Sequence, residues 1–144
     1  SISKEQRILD RRVESGFYEN FAQFGLRLSN QGRPQLVLSF SGSDCWLGIC
    51  FVSSPNSITA NEWHHVAGTF DNSTKTMRIY VDGSLKASRT VTGNLAYPSD
   101  PFHIGSYYSR EDNPGANAVF DGTLDEIRIW NMALSQQEIS GRIG

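Results

Sequence analysis

The dipeptide Asp82-Gly83, set between Met77-Arg78-Ile79-Tyr80-Val81 and Ser84-Leu85-Lys86-Ala87-Ser88, constrains the fold more than any other stretch of the chain. Two successive residues that accept positive φ close a two-residue turn whose twist matches that of its flanking strands, so the segment reads as a β-hairpin. Runs rich in β-branched and aromatic side chains recur at 24–28, 35–40, 48–53, 63–70, 76–81, 84–91, 102–104 and 122–130, each bounded by turn residues. Strands at such close spacing form a sandwich or a barrel. One segment reads as helix: in 134–139, Ser135 is placed as an N-cap with Glu138 three residues later, the reciprocal pairing of a capping box. The expected fold is all-β, an antiparallel β-sandwich of the jelly-roll kind, with one short C-terminal helical turn.

At 144 residues the chain fits a single domain, 1–144, large enough to bury a core. Hydrophobic residues make up 38% and charged residues 19%, and no apolar run approaches the roughly 20 residues a membrane span needs, so membrane insertion is not expected. Thirteen basic residues against 15 acidic ones leave a net charge of −2, and the basic residues are scattered, which argues against a nucleic-acid partner. Residues 1–12 show no signal-peptide pattern, a weak observation in a chain open to being a processed or trimmed product. Cys45 and Cys50 flank Trp-Leu-Gly-Ile and read either as a small disulfide loop in an oxidising compartment or as a pair of half-buried thiols. Zinc is not expected, because no second Cys/His pair completes four ligands. Asn72-Ser73-Thr74 is a glycosylation sequon in a turn, with Asn72 as the acceptor.

Four motifs between Asn61 and Ile139 follow one another in order. They are Glu62-Trp63-His64-His65-Val66-Ala67-Gly68-Thr69-Phe70-Asp71, then 77–83, then Phe102-His103-Ile104-Gly105, then Phe120-Asp121-Gly122-Thr123-Leu124-Asp125-Glu126-Ile127-Arg128-Ile129-Trp130-Asn131. Together they resemble the laminin-G-like and pentraxin-like branch of the concanavalin A-like jelly rolls. The resemblance implies two further strands near 7–11 and 24–28, joined by a loop over 16–23. It also implies two or three opening strands that nothing before Ile8 supplies. A domain lacking them would leave unpaired backbone and an apolar face, so another polypeptide segment or chain is expected to cover that face.

Glycoside hydrolases of this wider superfamily place two carboxylates on one strand face. Here the residues sharing a face with Glu126 are Arg128 and Trp130, and those sharing a face with Asp125 are Ile127 and Ile129. No such pair forms, and no enzyme activity is expected. His64 and His65 are adjacent, so in a strand they point to opposite faces and cannot hold one ion together. One is expected to be buried and hydrogen-bonded, the other on the surface. Pentraxin-like members hold calcium just after the glycine matching Gly105, but Ser106-Tyr107-Tyr108-Ser109 lacks their ligand trio. Glu111, Asp112 and Asn113 follow, and Asp121 closes the loop; these oxygens read either as a calcium site or as a solvated polar loop. Asp125 resembles the aspartate near which family members hold a structural calcium, or else is a structural residue at a strand entrance. No cofactor is certain, and calcium is the one that remains open.

Jelly-roll modules that hold sugars stack pyranose rings on aromatic faces and bond hydroxyls with polar side chains on loops. Trp46 in 43–46, and Tyr107, Tyr108, Arg110 and Asn113 in 107–113, fit that description as ligand-binding candidates. The leading expectation is a non-catalytic recognition module of a secreted or cell-surface protein that binds glycan or glycoprotein. A structural domain of an extracellular fibre, appendage or coat is the alternative, and an accessory domain of a larger secreted enzyme the second.

Overall fold

The computed structural model describes residues 4–12, 22–96, 101–106 and 118–143. In chain order its strands are β1 (Gln6–Arg12), β2 (Ala22–Leu28), β3 (Pro34–Ser41), β4 (Ile49–Ser53), β5 (Val66–Asp71), β6 (Thr76–Val81), β7 (Ser84–Thr90), β8 (Asn94–Leu95) and β9 (His103–Ile104), followed by α1 (Gln136–Ser140). The hairpin forms where expected, with φ of +51° at Asp82 and +75° at Gly83 closing the β6–β7 turn. A three-stranded sheet runs β5-β6-β7, and a six-stranded one runs β4-β3-β2-β1-β9, with β8 pairing the end of β3. All pairs are antiparallel.

Alternation along β3 decides how the sheets meet. Leu36, Leu38 and Phe40 point into the space between the sheets, where they join Val52 of β4 and Met77 and Ile79 of β6 in one buried cluster. Leu38, Met77 and Ile79 are fully buried. Phe40 and Phe70 meet edge to face at 5.0 Å across the sandwich. Gly68 of β5 lets the backbone approach β3, since a Cβ there would lie 2.8 Å from Leu36 Cδ1. On the other face of the small sheet Tyr80 packs with Leu134 and Ile139, so the C-terminal helix covers what the hairpin turns outward. The expected capping box is present: Ser135 Oγ accepts from the Glu138 amide, and Glu138 Oε2 accepts from the Ser135 amide at 2.7 Å.

Three features depart from the sequence reading. β5 begins at Val66, so Trp63, His64 and His65 belong to the loop that leads into it, and β8 is a two-residue strand with no signature of its own. The third is larger: residues 122–130 form no strand. Ile127, Ile129 and Trp130 are exposed, and Glu126 has a φ of +52°. A strand exists only beside a neighbour that takes up its N–H and C=O groups, and among the described residues no strand pairs with this segment. It is held instead by side chains: Arg128 pairs with Glu126 and donates to the Arg142 carbonyl, while the Arg142 guanidinium lies 4.5 Å from the Trp130 ring centroid.

Gly68→Ala is expected to lower stability by about 1–3 kcal/mol, because the added methyl meets a leucine locked in the core. Leu38→Ala, which empties space without a clash, is expected to cost about 2–5 kcal/mol. Urea unfolding monitored by fluorescence tests both, and a Gly68→Ala midpoint equal to wild type would show that the sheets can part there freely.

Candidate functional site

The Cys45–Cys50 disulfide is present and closes a loop at the end of the sandwich. Within it residues 46–48 make a tight turn with Gly48 N–H donating to the Cys45 carbonyl. The loop hugs β3 so closely that a Cβ at Gly48 would fall 2.6 Å from the Phe40 carbonyl oxygen. Arg89 of β7 ties it to the small sheet, donating from Nη1 to the Phe51 carbonyl at 3.1 Å and from Nη2 to Cys45 Sγ at 3.3 Å. Thr92 secures the near side, accepting from the Asp44 amide and donating to Asp44 Oδ1 at 3.0 Å. Trp46 therefore stands 78% exposed on an anchored loop; Leu47, next to it in the chain, and Phe51, just past the loop in β4, are exposed as well. The exposure of these two side chains was not foreseen in the sequence.

A second site was not foreseen. The β4–β5 loop runs past the β6–β7 turn, and the two enclose a cleft of about 160 Å3 lined by Ser54, Asn56, Ser57, Ile58, Thr59, His64, Val81, Asp82 and Lys86. Asp82 is its hinge. Its Oδ1 accepts the His65 amide at 2.9 Å, and its Oδ2 faces His64 Nδ1 at 3.0 Å. The Thr59 amide donates to His64 Nε2 at 3.2 Å, so Nε2 carries no proton and Nδ1–H is the donor to Asp82. Burial alone would raise the Asp82 pKa. The hydrogen bonds from His64 and the His65 amide, with the positive charge of Lys86, outweigh it and hold the carboxyl below its usual range.

The two histidines differ from expectation. Neither sits in a strand and neither lies on the open surface; both are half-buried. His64 is the hydrogen-bonded one, while His65 Nδ1 is buried with no hydrogen-bond partner among the described residues. Burial lowers the His65 pKa, with Asp82 opposing and Arg128 reinforcing the shift.

Tyr107, Tyr108, Arg110, Glu111, Asp112 and Asn113 lie outside the described residues. Asp121 and Asp125 are exposed: the Asp121 amide donates to Gln6 Oε1, and Asp125 Oδ1 accepts from the Glu126 amide at 2.8 Å, bracing the positive-φ residue that follows. Among the described residues no three His, Cys, Asp or Glu side chains gather closely enough to hold a metal ion. No helix among them is long and apolar enough to cross a membrane.

Two antiparallel sheets packed through an aromatic and aliphatic core, with a capped helix on the outer face of the smaller one, define a lectin-like jelly roll. The chain belongs to the concanavalin A-like lectin/glucanases superfamily, whose profile matches residues 1–140. Among curated proteins it is similar to the Rattus norvegicus Sushi, von Willebrand factor type A, EGF and pentraxin domain-containing protein 1, at 27% identity over 86 residues. That match covers 58% of this chain and 2% of the relative's length. Its fold is similar to the CBM40 of Ruminococcus gnavus IT-sialidase bound to α2,3 sialyllactose, with a TM-score of 0.77, 18% identity, and coverage of 100% of this chain and 77% of that one. It is also similar to the native heptameric SAP-like pentraxin of Limulus polyphemus, with a TM-score of 0.58, 18% identity, and coverage of 96% and 62%.

Because the folded state favours neutral His65 while the unfolded chain takes up its proton around pH 6.5, stability is complete only about a pH unit above that value. It declines as the pH falls toward the lower folded-state value. The midpoint of urea unfolding is expected to drop between about pH 7.5 and 5.5, and His65→Gln to flatten that slope. Asp71, Asp82 and Glu138, whose pKa values are lowered, add their own loss only further into the acid range. An equal slope in the His65→Gln variant would remove His65 as its source.

Proposed function

We propose that this domain is a non-catalytic module that recognises carbohydrate or glycoprotein, as part of a secreted or cell-surface protein. The observation that carries the reading is Trp46, 78% exposed on a disulfide-closed loop that Arg89 and Thr92 anchor. A large aromatic ring held out on a rigid loop loses little entropy on binding and offers a flat face for a sugar ring. The fold it shares with a carbohydrate-binding module supports the same reading, and a disulfide suits an oxidising compartment. Catalysis is not part of the proposal, since in the acidic stretch Glu126 is paired with Arg128 and Asp125 is engaged with backbone.

A second reading, assembly with other protein, draws on a different observation. Ile127, Ile129, Trp130 and Met132 are exposed together along a segment that no described strand pairs. We propose that a segment of a longer polypeptide, or another chain, adds a strand there and covers these side chains. Amide exchange across 123–130 is then expected to be fast in the isolated 144 residues and slow in a longer parent or complex. Full protection of that segment in the isolated chain would end this proposal.

A glycan array probed with the longest available form of the protein, with and without a calcium chelator, tests the principal reading. Binding is expected, and Trp46→Ala is expected to weaken it by about tenfold, or about 1.4 kcal/mol. Loss of binding in chelator would route recognition through calcium on Glu111, Asp112, Asp121 or Asp125. No binding in either condition would leave assembly as the better account. Asn72 is exposed in the 72–75 turn, and expression through a eukaryotic secretory pathway is expected to add a glycan there, read as a mass shift that Asn72→Gln abolishes.

A further inference from the structure

The cleft beside the β6–β7 turn has features that the core does not require. The β4–β5 loop is pinned through its backbone, with the Ser54 amide donating to the Pro34 carbonyl, the Ile58 amide to the Gly32 carbonyl, and the Thr59 amide to His64. Those bonds occupy its main chain and leave its side chains unused: among the described residues the Asn56 amide group and the Ser57 and Thr59 hydroxyls have no hydrogen-bond partner. Ile58 and the buried Val81 add apolar surface among them.

Lys86 completes the set by an independent device. Along the hairpin Tyr80 pairs with Leu85 and Ile79 with Ala87, so Lys86 is one extra residue in β7, a β-bulge. A bulge costs a ladder bond and commonly re-aims a side chain; here the bulged residue is the one from its strand that lines the cleft. No hydrogen bond or ion pair occupies the Lys86 ammonium among the described residues. The Asp82 carboxylate feels the Lys86 charge but forms no hydrogen bond or ion pair with it, and its two oxygens bind His64 and the His65 amide. One cation without a hydrogen-bonded partner thus lies beside the engaged Asp82 carboxylate and a group of neutral hydroxyl and amide groups, in a space of about 160 Å3 that suits a single small ring rather than an extended chain.

We propose that this cleft binds one carboxylate-bearing sugar unit, with Lys86 pairing the carboxylate and Asn56, Ser57 and Thr59 bonding the ring hydroxyls. The hydrogen bonds from His64 to Asp82 and from the Thr59 amide to His64 hold the wall in place and do not touch the ligand. The proposal rests on the carbohydrate reading above and assigns it a subsite and a ligand charge, on a surface separate from Trp46.

Glucuronate and glucose, which differ in a carboxylate against a hydroxymethyl group, are the probes for an amide-resolved NMR titration of the full chain. Glucuronate is expected to shift amides in 56–59 and 82–86, and glucose to shift them more weakly. Lys86→Met is expected to raise the glucuronate Kd by about fivefold or more and to leave the glucose response unchanged, while Asn56→Ala weakens both. Lys86 is exposed, so both proteins should fold, and Trp46→Ala is expected to leave these shifts intact. If saccharides shift only the Trp46 loop, or if Lys86→Met binds glucuronate as wild type does, this inference falls while the carbohydrate reading stands. If neither probe nor any glycan on the array binds, both fall together.

Discussion

Everything in this molecule depends on the contact between β3 and β6. Leu36, Leu38 and Phe40 on one sheet meet Met77 and Ile79 on the other, and burying them offsets the entropy of ordering two sheets that share few backbone bonds. The strict alternation of strands makes that contact sensitive to register: a slip of one residue in β3 would turn Gln35, Val37 and Ser39 inward. Cross-strand polar rows on the opposite face reinforce the register. Arg27 pairs with Gln35 and Gln35 with Ser53 in the ladders, and their side chains bond in the same order, at 2.8 Å and 3.2 Å. Glu5 extends the row by bridging Arg7 and Arg27.

The tight β6–β7 turn serves both the fold and the cleft. Asp82 supplies the positive φ, and its carboxylate reaches back to the entrance of β5, so one side chain fastens the turn, the His64 ring and the His65 backbone. The Asp82 amide also donates to the His65 carbonyl. A site assembled on so short a turn inherits the stiffness of the hairpin, which favours preorganised binding over induced fit. The disulfide loop achieves a similar stiffness by other means, a covalent closure plus Arg89 and Thr92. The two anchored surfaces differ in chemistry: one is aromatic, the other polar with Lys86 and Asp82 as its charged groups.

The segment from 122 to 130 shows why pattern and partner must both be satisfied. Its sequence alternates as a strand does, yet among the described residues no strand pairs with it, and it adopts a conformation that a ladder would not permit at Glu126. Trp130 is left over the Arg142 guanidinium, and Ile127 and Ile129 face water. Such a surface is costly to leave open, which is the physical ground for a covering segment.

The sandwich, the hairpin at Asp82-Gly83 and the capping box at Ser135 and Glu138 were legible in the chain, because each depends on neighbours a few residues apart or on a period of two; the superfamily was reached through the resemblance of four ordered motifs, and the Cys45–Cys50 disulfide was one of two readings their spacing left open. The exposure of Trp46 followed from the disulfide reading, its loop being closed by two nearby cysteines. The cleft was not, since it joins Asn56, His64, Asp82 and Lys86 from three stretches of chain, and Lys86 enters it through a bulge that no local pattern announces. Nor was the fate of 122–130 legible. Local chemistry determines which segments can be strands and turns, whereas only the packed structure decides which strands find partners and which side chains meet across a gap, because those outcomes depend on groups far apart along the chain.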